Sequence, residues 1–178
     1  MYLQSLSSRF RSRPAIRPCS ADHGLERPGA TVDLPLEAHL PADYVADETQ
    51  KLELYRRLAR VSTTGGLAAM RQEILDRFGP LPGPVLRLLE VVELRLVAEA
   101  VGIASLSREE GDLVVRLGTL PRSTLARALA SLGSQVRMGS NQARLRLPQD
   151  PERAWALAQR VVAQVAATIE GTASGTTG

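Results

Sequence analysis

Three charged side chains, Glu73, Asp76 and Arg77, stand close together in the stretch RQEILDRFGPLPGPVLRLLE, residues 71–90. At about 100° per helical residue they project within roughly 100° of one another, largely opposite the apolar stripe of the same predicted helix. Glu73 and Arg77 have the favourable i,i+4 order, worth about 0.3–0.5 kcal/mol. An arginine beside carboxylates can also orient a partner, because its planar fork binds anions in a fixed geometry. The pattern therefore fits either a solvated, self-paired helix face or a polar docking face.

The sequence contains little that could carry out catalysis. It has no G-x-x-x-x-G-K-[ST] phosphate loop, no C-x-x-C, no H-E-x-x-H and no G-x-S-x-G. His39 alternates with apolar positions and has no nucleophile near it in sequence, while Cys19 and His23 lie in a Pro/Arg/Ser-rich stretch. Glu109 and Glu110 fall at a predicted hairpin tip, where solvation accounts for them. We expect a non-enzymatic chain with no catalytic residues, no cofactor and no metal site.

The composition and the charge distribution limit the possible partners. The 178 residues include 44% hydrophobic but only 3% aromatic residues, so the core must be aliphatic and a base-stacking surface is disfavoured. The formal charge is +3, but residues 1–31 already carry this excess, and the 17 basic and 17 acidic residues that follow balance. A small Arg-rich nucleic-acid-binding module stays as the alternative function, using residues 9–17 and the two arginines Arg144 and Arg146.

Three sequence features indicate the compartment. The single cysteine excludes an internal disulfide and fits a reducing cytosol. No run approaches the ~18 apolar residues that a membrane span needs. The N-terminal residues lack the apolar region of a signal peptide. We expect a cytoplasmic protein without membrane contact.

The pattern of apolar residues predicts an α+β fold: one compact domain of helices with short antiparallel strands and hairpins. We expect a flexible linker over 1–31, the domain over 32–171 and a disordered tail over 172–178. The predicted elements follow in chain order: an edge strand over 32–40, helices over 48–61, 67–78 and from 84 to Gly102, a hairpin, a short helix, a second hairpin, and a final helix from 151. The third helix is apolar around most of its circumference, which predicts a central, buried position.

Two blocks of sequence carry a family resemblance. They are LPADYVADETQKLELYRRLA, residues 40–59, and EILDRFGPLPGPVLRLLEVVELRLVAEAVGI, residues 73–103. They resemble the patterns PxDYVxDExxRLxLYRRLA and ELIDRFGPLPxPVxxLL of the C-terminal (TRCF) domain of the bacterial transcription-repair coupling factor, Mfd. The order of hairpins and helices beyond them agrees in outline.

The resemblance implies a function that composition does not. The whole factor is an ATP-dependent DNA translocase that displaces stalled RNA polymerase and recruits the excision-repair protein UvrA. Its C-terminal domain acts as an autoinhibitory clamp on the UvrB-like N-terminal module and covers the surface that binds UvrA. The family's E-x-x-D-R residues face that module and correspond to Glu73, Asp76 and Arg77. The resemblance thus predicts an intramolecular partner, and only indirect contact with UvrA, RNA polymerase and DNA.

The sequence also departs from the family pattern. The family usually has acidic residues between the first two helices, where this chain has STTGGLAA, so the docking surface is expected to be smaller or looser. The motor is absent from these residues, so we expect neither ATP hydrolysis nor translocation. A self-associating structural domain is a further alternative, since apolar positions would be left bare without the motor.

Overall fold

A computed structural model describes residues 29–174. The linker predicted over 1–31 lies almost wholly outside them, as does most of the tail from 172. The elements are β1 (Thr31–Asp33), α1 (Glu48–Arg60), α2 (Thr64–Phe78), α3 (Gly83–Ala100), β2 (Ile103–Glu109), β3 (Asp112–Leu117), α4 (Arg122–Ala128), a 3-10 helix (Ala130–Gln135), β4 (Val136–Met138), β5 (Gln142–Arg146) and α5 (Pro151–Ser174). Because α5 runs to Ser174, it continues three residues past 171; the domain boundaries themselves stay a prediction.

The strands form one five-stranded sheet in the order β1-β2-β3-β5-β4. The two predicted hairpins, β2–β3 and β4–β5, are antiparallel, and the α+β fold class is confirmed. The expectation of purely antiparallel pairing was wrong at one edge, where Val32 of β1 pairs with Leu106 of β2 in parallel. Three helices separate these two strands, and such a long connection can return the chain in the same direction, which a hairpin cannot do.

The predicted edge strand is much shorter than expected. β1 ends at Asp33, two residues before Pro35, which has no N–H to give to a ladder. The chain then makes two tight turns, in which Leu36 N–H donates to the Leu34 carbonyl (2.8 Å) and Ala38 N–H to the Leu36 carbonyl (2.9 Å). The side chains still alternate between partly buried and exposed. The period-2 pattern of the sequence therefore reports burial correctly, although the backbone beyond Asp33 is not a β-strand.

The N-terminal caps of α1 and α2 set where these helices begin. Asp47 Oδ1 accepts the N–H groups of Thr49 (2.8 Å) and Gln50 (3.0 Å), as the sequence predicts for the start of α1. The expected start of α2 at residue 67 was three residues late. Thr63 Oγ1 accepts the N–H of Gly66 at 3.0 Å, and this cap supports a first turn that contains two glycines.

Helix α3 lies between two apolar cores, which explains why it is apolar on most sides. Toward α1 and α2 it contributes Val85, Leu89, Val92 and Leu96. Toward the sheet, α4 and α5 it contributes Leu94, Val97 and Ala98, and Val101, which caps its C-terminus, joins them. The central position predicted for this helix is confirmed, and α3 joins the two halves of the domain.

Side-chain bonds hold α1 onto this central helix. Arg95 of α3 donates through Nη2 to the carbonyls of Val61 (2.6 Å) and Leu58 (3.3 Å), at the C-terminal end of α1. A cation there complements the negative end of the helix dipole and the carbonyls that have no partner within the helix. The α1–α2 pair is therefore a fixed layer on α3. None of the helices within residues 29–174 is long and apolar enough to cross a membrane.

Candidate functional site on the α1–α2 layer

Glu73 lies on the side of α2 that faces α1. Its carboxylate accepts a two-pronged bond from Arg57 of α1, with Nη1–Oε1 at 2.6 Å and Nη2–Oε2 at 2.5 Å. Both side chains are about one-third exposed, at 38% for Arg57 and 33% for Glu73. A two-pronged arginine–carboxylate pair is among the strongest polar contacts in proteins. Glu73 therefore ties the two helices of the layer together.

The predicted pair within α2 is also present. Arg77 Nη1 lies 3.2 Å from Glu73 Oε1, in the expected i,i+4 relationship. The same guanidinium stands 5.2 Å from the centre of the Phe78 ring, and its Nη2 lies 3.5 Å from Gln50 Oε1 of α1. Contact with the ring and a neighbouring helix orients the arginine, yet its side chain remains 47% exposed.

Asp76 is exposed and takes no part in this cluster of contacts. Its Oδ1 accepts a bond from Gln72 Nε2, one turn earlier on α2, at 2.8 Å. The three predicted site residues therefore do not form a single unit. Glu73 and Arg77 share one network that reaches α1, whereas Asp76 presents its carboxylate outward.

The pKa of Glu73 reflects its surroundings. Hydrogen bonding from Arg57 is the main cause that lowers this pKa, from an ordinary 4.5 to about 2; partial burial opposes it, and Arg77 lowers it further. The carboxylate is thus charged across the whole physiological range, and its charge is met by two arginines of the same chain.

Sequence reasoning missed Arg57. An i,i+4 search finds partners within one helix but not between helices. One signal was available: only three residues separate α1 from α2, which predicts antiparallel neighbours, and Gln50 and Arg57 lie seven residues apart on one face of α1. These are the two α1 residues that contact Arg77 and Glu73.

The proline turn after α2 is anchored from the first sequence block. Tyr44 donates its hydroxyl to the carbonyl of Gly79 at 2.8 Å, and its ring lies 5.9 Å from that of Phe78. Gly79 ends α2 with φ 83° and ψ −160°, a backbone conformation that glycine adopts far more readily than other residues. In the same block, Tyr55 of α1 accepts the N–H of Leu40 at 2.8 Å. Residues 40–59 and 73–103 therefore form one structural unit around this turn.

A shallow groove of about 280 Å³ runs between the C-terminal end of α1 and the N-terminal half of α2. It is lined by Arg57, Arg60, Val61, Gly66, Ala69, Met70 and Glu73. The small side chains come from the STTGGLAA segment, for which the sequence predicts a smaller or looser docking surface. Because Gly66 and Ala69 do not fill the space, the two arginines and Glu73 form its polar rim.

The remaining sequence candidates lie outside this layer. His39 is exposed, and Cys19 and His23 fall outside the described residues. Glu109 pairs with Arg116 (2.7 Å) and with Arg144 (3.2 Å) on the sheet. Within residues 29–174 no group of three or more His, Cys, Asp or Glu side chains is placed to hold a metal ion.

The two arginines considered for nucleic-acid binding also have carboxylate partners. Arg144 contacts Glu109 and Glu110, and Arg146 Nη1 lies 3.7 Å from Oδ1 of the buried Asp112. Arg144 is therefore neutralised by two carboxylates, whereas Arg146 shares Asp112 with Arg137 and is 80% exposed, so only Arg146 keeps charge that a phosphate backbone could meet.

Comparison with known proteins decides the family. A family model described as the TRCF domain matches residues 34–127, more than half of the chain. The chain belongs to the TRCF domain family. The resemblance seen in residues 40–59 and 73–103 is thereby confirmed, and the Tyr44–Gly79 turn and the α1–α2 layer are parts of a TRCF domain.

Individual relatives agree with this assignment. The transcription-repair-coupling factor of Mycobacterium tuberculosis (strain CDC 1551 / Oshkosh) is 44% identical over 98 residues, 54% of this chain and 8% of that protein. The transcription-repair-coupling factor of Staphylococcus haemolyticus is 28% identical over 160 residues, 87% of this chain and 13% of that protein. The chain thus spans a small fraction of the length of these relatives.

A solved structure supports the fold of this TRCF domain. The crystal structure of the C-terminal domain of transcription-repair coupling factor matches with a TM-score of 0.65, over 83% of this chain and 96% of that one. The two sequences are 17% identical, so the likeness concerns the fold alone.

Proposed function

We propose that this chain is a non-catalytic, autoinhibitory clamp of a transcription-repair coupling factor. It docks through the outer face of α1 and α2 onto the UvrB-like N-terminal module of the same factor and masks the surface that binds UvrA. ATP binding, DNA translocation and contact with RNA polymerase belong to other parts of that factor. The site of action is the cytoplasm.

The observation that carries this proposal is the exposure of Asp76 and Arg77 on a firmly held helix. Arg77 is oriented by Glu73 and Phe78 yet keeps 47% of its side chain exposed. Neither residue belongs to the apolar core beneath the layer, which is built from other α2 residues such as Met70 and Ile74. A rigid pair of opposite charges favours one orientation of a partner and gives specificity more than raw affinity.

Masking of this kind does not require tight binding. Each 1.4 kcal/mol of differential affinity changes the ratio of masked to open states about tenfold. A few kcal/mol, within the range of a small polar interface, therefore suffices to hide the UvrA-binding surface. An ionic contact also weakens as salt is raised, because exposed charges are screened.

Calorimetric titration of the whole chain with the N-terminal module of its parent factor tests the proposal. We expect binding at low salt that weakens at high salt, and a loss of affinity in Asp76→Ala and Arg77→Ala. The matched control is Arg160→Ala, which removes an exposed charge from α5. Absence of binding by the unmodified, folded chain would contradict the proposal.

The two alternatives from the sequence predict different results. A nucleic-acid-binding module would keep its affinity for duplex DNA in Arg77→Ala and lose it when residues 1–31 are removed. A self-associating domain would increase in mean mass in a light-scattering concentration series, whereas the clamp would stay monomeric.

A further inference from the structure

The groove between α1 and α2 has a net positive lining, with Arg57 and Arg60 against Glu73. Among the described residues that line the groove, only Glu73 has a carboxylate, and both of its oxygens accept bonds from Arg57, with Arg77 adding a third contact. Arg60 also lines the groove; it is exposed and makes no hydrogen bond or ion pair with any residue of the described part of the chain. The charge of Arg60 is therefore left over at the rim.

The hydrogen-bond donors at this rim outnumber the acceptors. A guanidinium has five N–H donors and no acceptor. Arg57 directs one hydrogen of each terminal nitrogen to Glu73, which leaves its Nε–H and two further hydrogens for another group. All five N–H donors of Arg60 are likewise available to another group. Water satisfies these donors in the free chain, because both side chains reach solvent. A partner group that displaces this water and matches the excess charge is an anionic acceptor.

From these contacts we infer that the groove receives an aspartate or glutamate side chain of the docked module, held by Arg57 and Arg60. This inference rests on the proposed function and names the chemistry of its partner. Asp76, on the outward face of α2, contacts a donor on the module instead. The module thus contacts the chain at two points of opposite charge, which fixes the orientation of the docked module more firmly than one ion pair could.

The ion pair between Arg57 and Glu73 gives Arg57 and Arg60 different roles. Arg57 is held by Glu73, so it is already in place when the partner arrives and loses little conformational freedom on binding. Arg60 is free of such contacts, so its loss should not disturb the fold. Arg60 is therefore the residue at which docking can be tested separately from stability.

The test is titration of the N-terminal module with the whole chain carrying Arg60→Gln, Arg60→Glu or Arg60→Lys, with Arg160→Gln as the matched control. We expect roughly threefold weaker binding in Arg60→Gln, as for the loss of one rim charge, and a loss above about tenfold in Arg60→Glu, where like charges meet. Arg60→Lys should recover most of the affinity. Arg60→Gln, Arg60→Lys and Arg160→Gln should melt close to the temperature of the unmodified chain, and Arg60→Glu slightly lower, because it places a negative charge in the last turn of α1.

Two results would overturn the inference, and they are distinguishable. If Asp76→Ala weakens binding while Arg60→Gln and Arg60→Glu bind as the control does, the groove takes no acidic group, and the clamp itself stands. If the unmodified chain does not bind the module at all, the proposed function fails and the inference fails with it.

Discussion

Tyr44 and Gly79 are joined by a 2.8 Å hydrogen bond from the tyrosine hydroxyl to the glycine carbonyl, across 35 residues of chain. This bond fixes the end of α2 where the proline turn begins. It positions the turn beside Arg77 and Phe78, and it does so from a loop that precedes α1.

Removal of this hydroxyl should cost stability. In Tyr44→Phe the ring contact with Phe78 is kept, but the Gly79 carbonyl loses its donor, which we expect to lower the free energy of unfolding by about 1 kcal/mol. Urea denaturation measures the difference. Tyr44→Leu, which also removes the ring contact, should be the less stable of the two variants; equal stability of Tyr44→Phe and the unmodified chain would show that the bond contributes nothing.

The backbone of Gly79 gives a second prediction. A Cβ built at this position meets nothing within 4 Å, so Gly79→Ala adds no clash and reports backbone strain alone, about 1–3 kcal/mol. Gly83→Ala is the matched control, because Gly83 is equally open and lacks a positive φ. Its stability should be unchanged or slightly raised. Equal urea midpoints for Gly79→Ala and Gly83→Ala would contradict this account of the turn.

The depressed pKa of Glu73 predicts a dependence of stability on pH. Arg57, with a smaller contribution from Arg77, lowers the folded-state pKa from 4.5 to about 2. The charged carboxylate therefore favours the folded state above pH 4.5, and this contribution disappears as the pH falls through about 2. The stability difference between the unmodified chain and Glu73→Gln should therefore be constant from pH 7 to about 5 and shrink below that. A difference that is equal at pH 6 and pH 2 would exclude the Arg57–Glu73 pair as its source.

Substitution of Asp76 or Arg77 should weaken docking while leaving the stability of the fold nearly unchanged. Both are exposed, so Asp76→Ala and Arg77→Ala should change the free energy of unfolding by only about 0.5 kcal/mol, while binding to the module falls. Thermal melts followed by circular dichroism check the first part. Gross unfolding of Arg77→Ala would show that the arginine serves the fold, through Glu73 and Phe78, and is not reserved for a partner.

Much of the fold could be predicted because local chemistry decides it. The Asp47 cap, the central apolar α3 and the two hairpins follow from residues close in sequence, and the Glu73–Arg77 pair follows from helical spacing. The features that were missed depend on contacts between distant segments. The parallel pairing of β1 with β2 is one, and the approach of Arg57 to Glu73 is another, since each requires knowledge of which elements lie side by side.

The site was predicted less fully than the fold for the same reason. Sequence spacing treats Glu73, Asp76 and Arg77 as one group, but the structure divides them, because Glu73 is engaged by α1 and Asp76 is not. Arg60 has no signature within its own helix that would mark it as a binding residue. Its position becomes informative in the structure, where it lines a groove together with Gly66 and Ala69 of α2.

The most direct test of the central claim is competition for the masked surface. Fluorescently labelled UvrA is titrated with the N-terminal module of the parent factor, in the absence and in the presence of a saturating amount of the whole chain. The account predicts that the chain weakens UvrA binding, that high salt or Arg77→Ala restores it, and that Arg160→Ala masks as the unmodified chain does. UvrA binding that is unchanged at saturating chain would contradict the clamp.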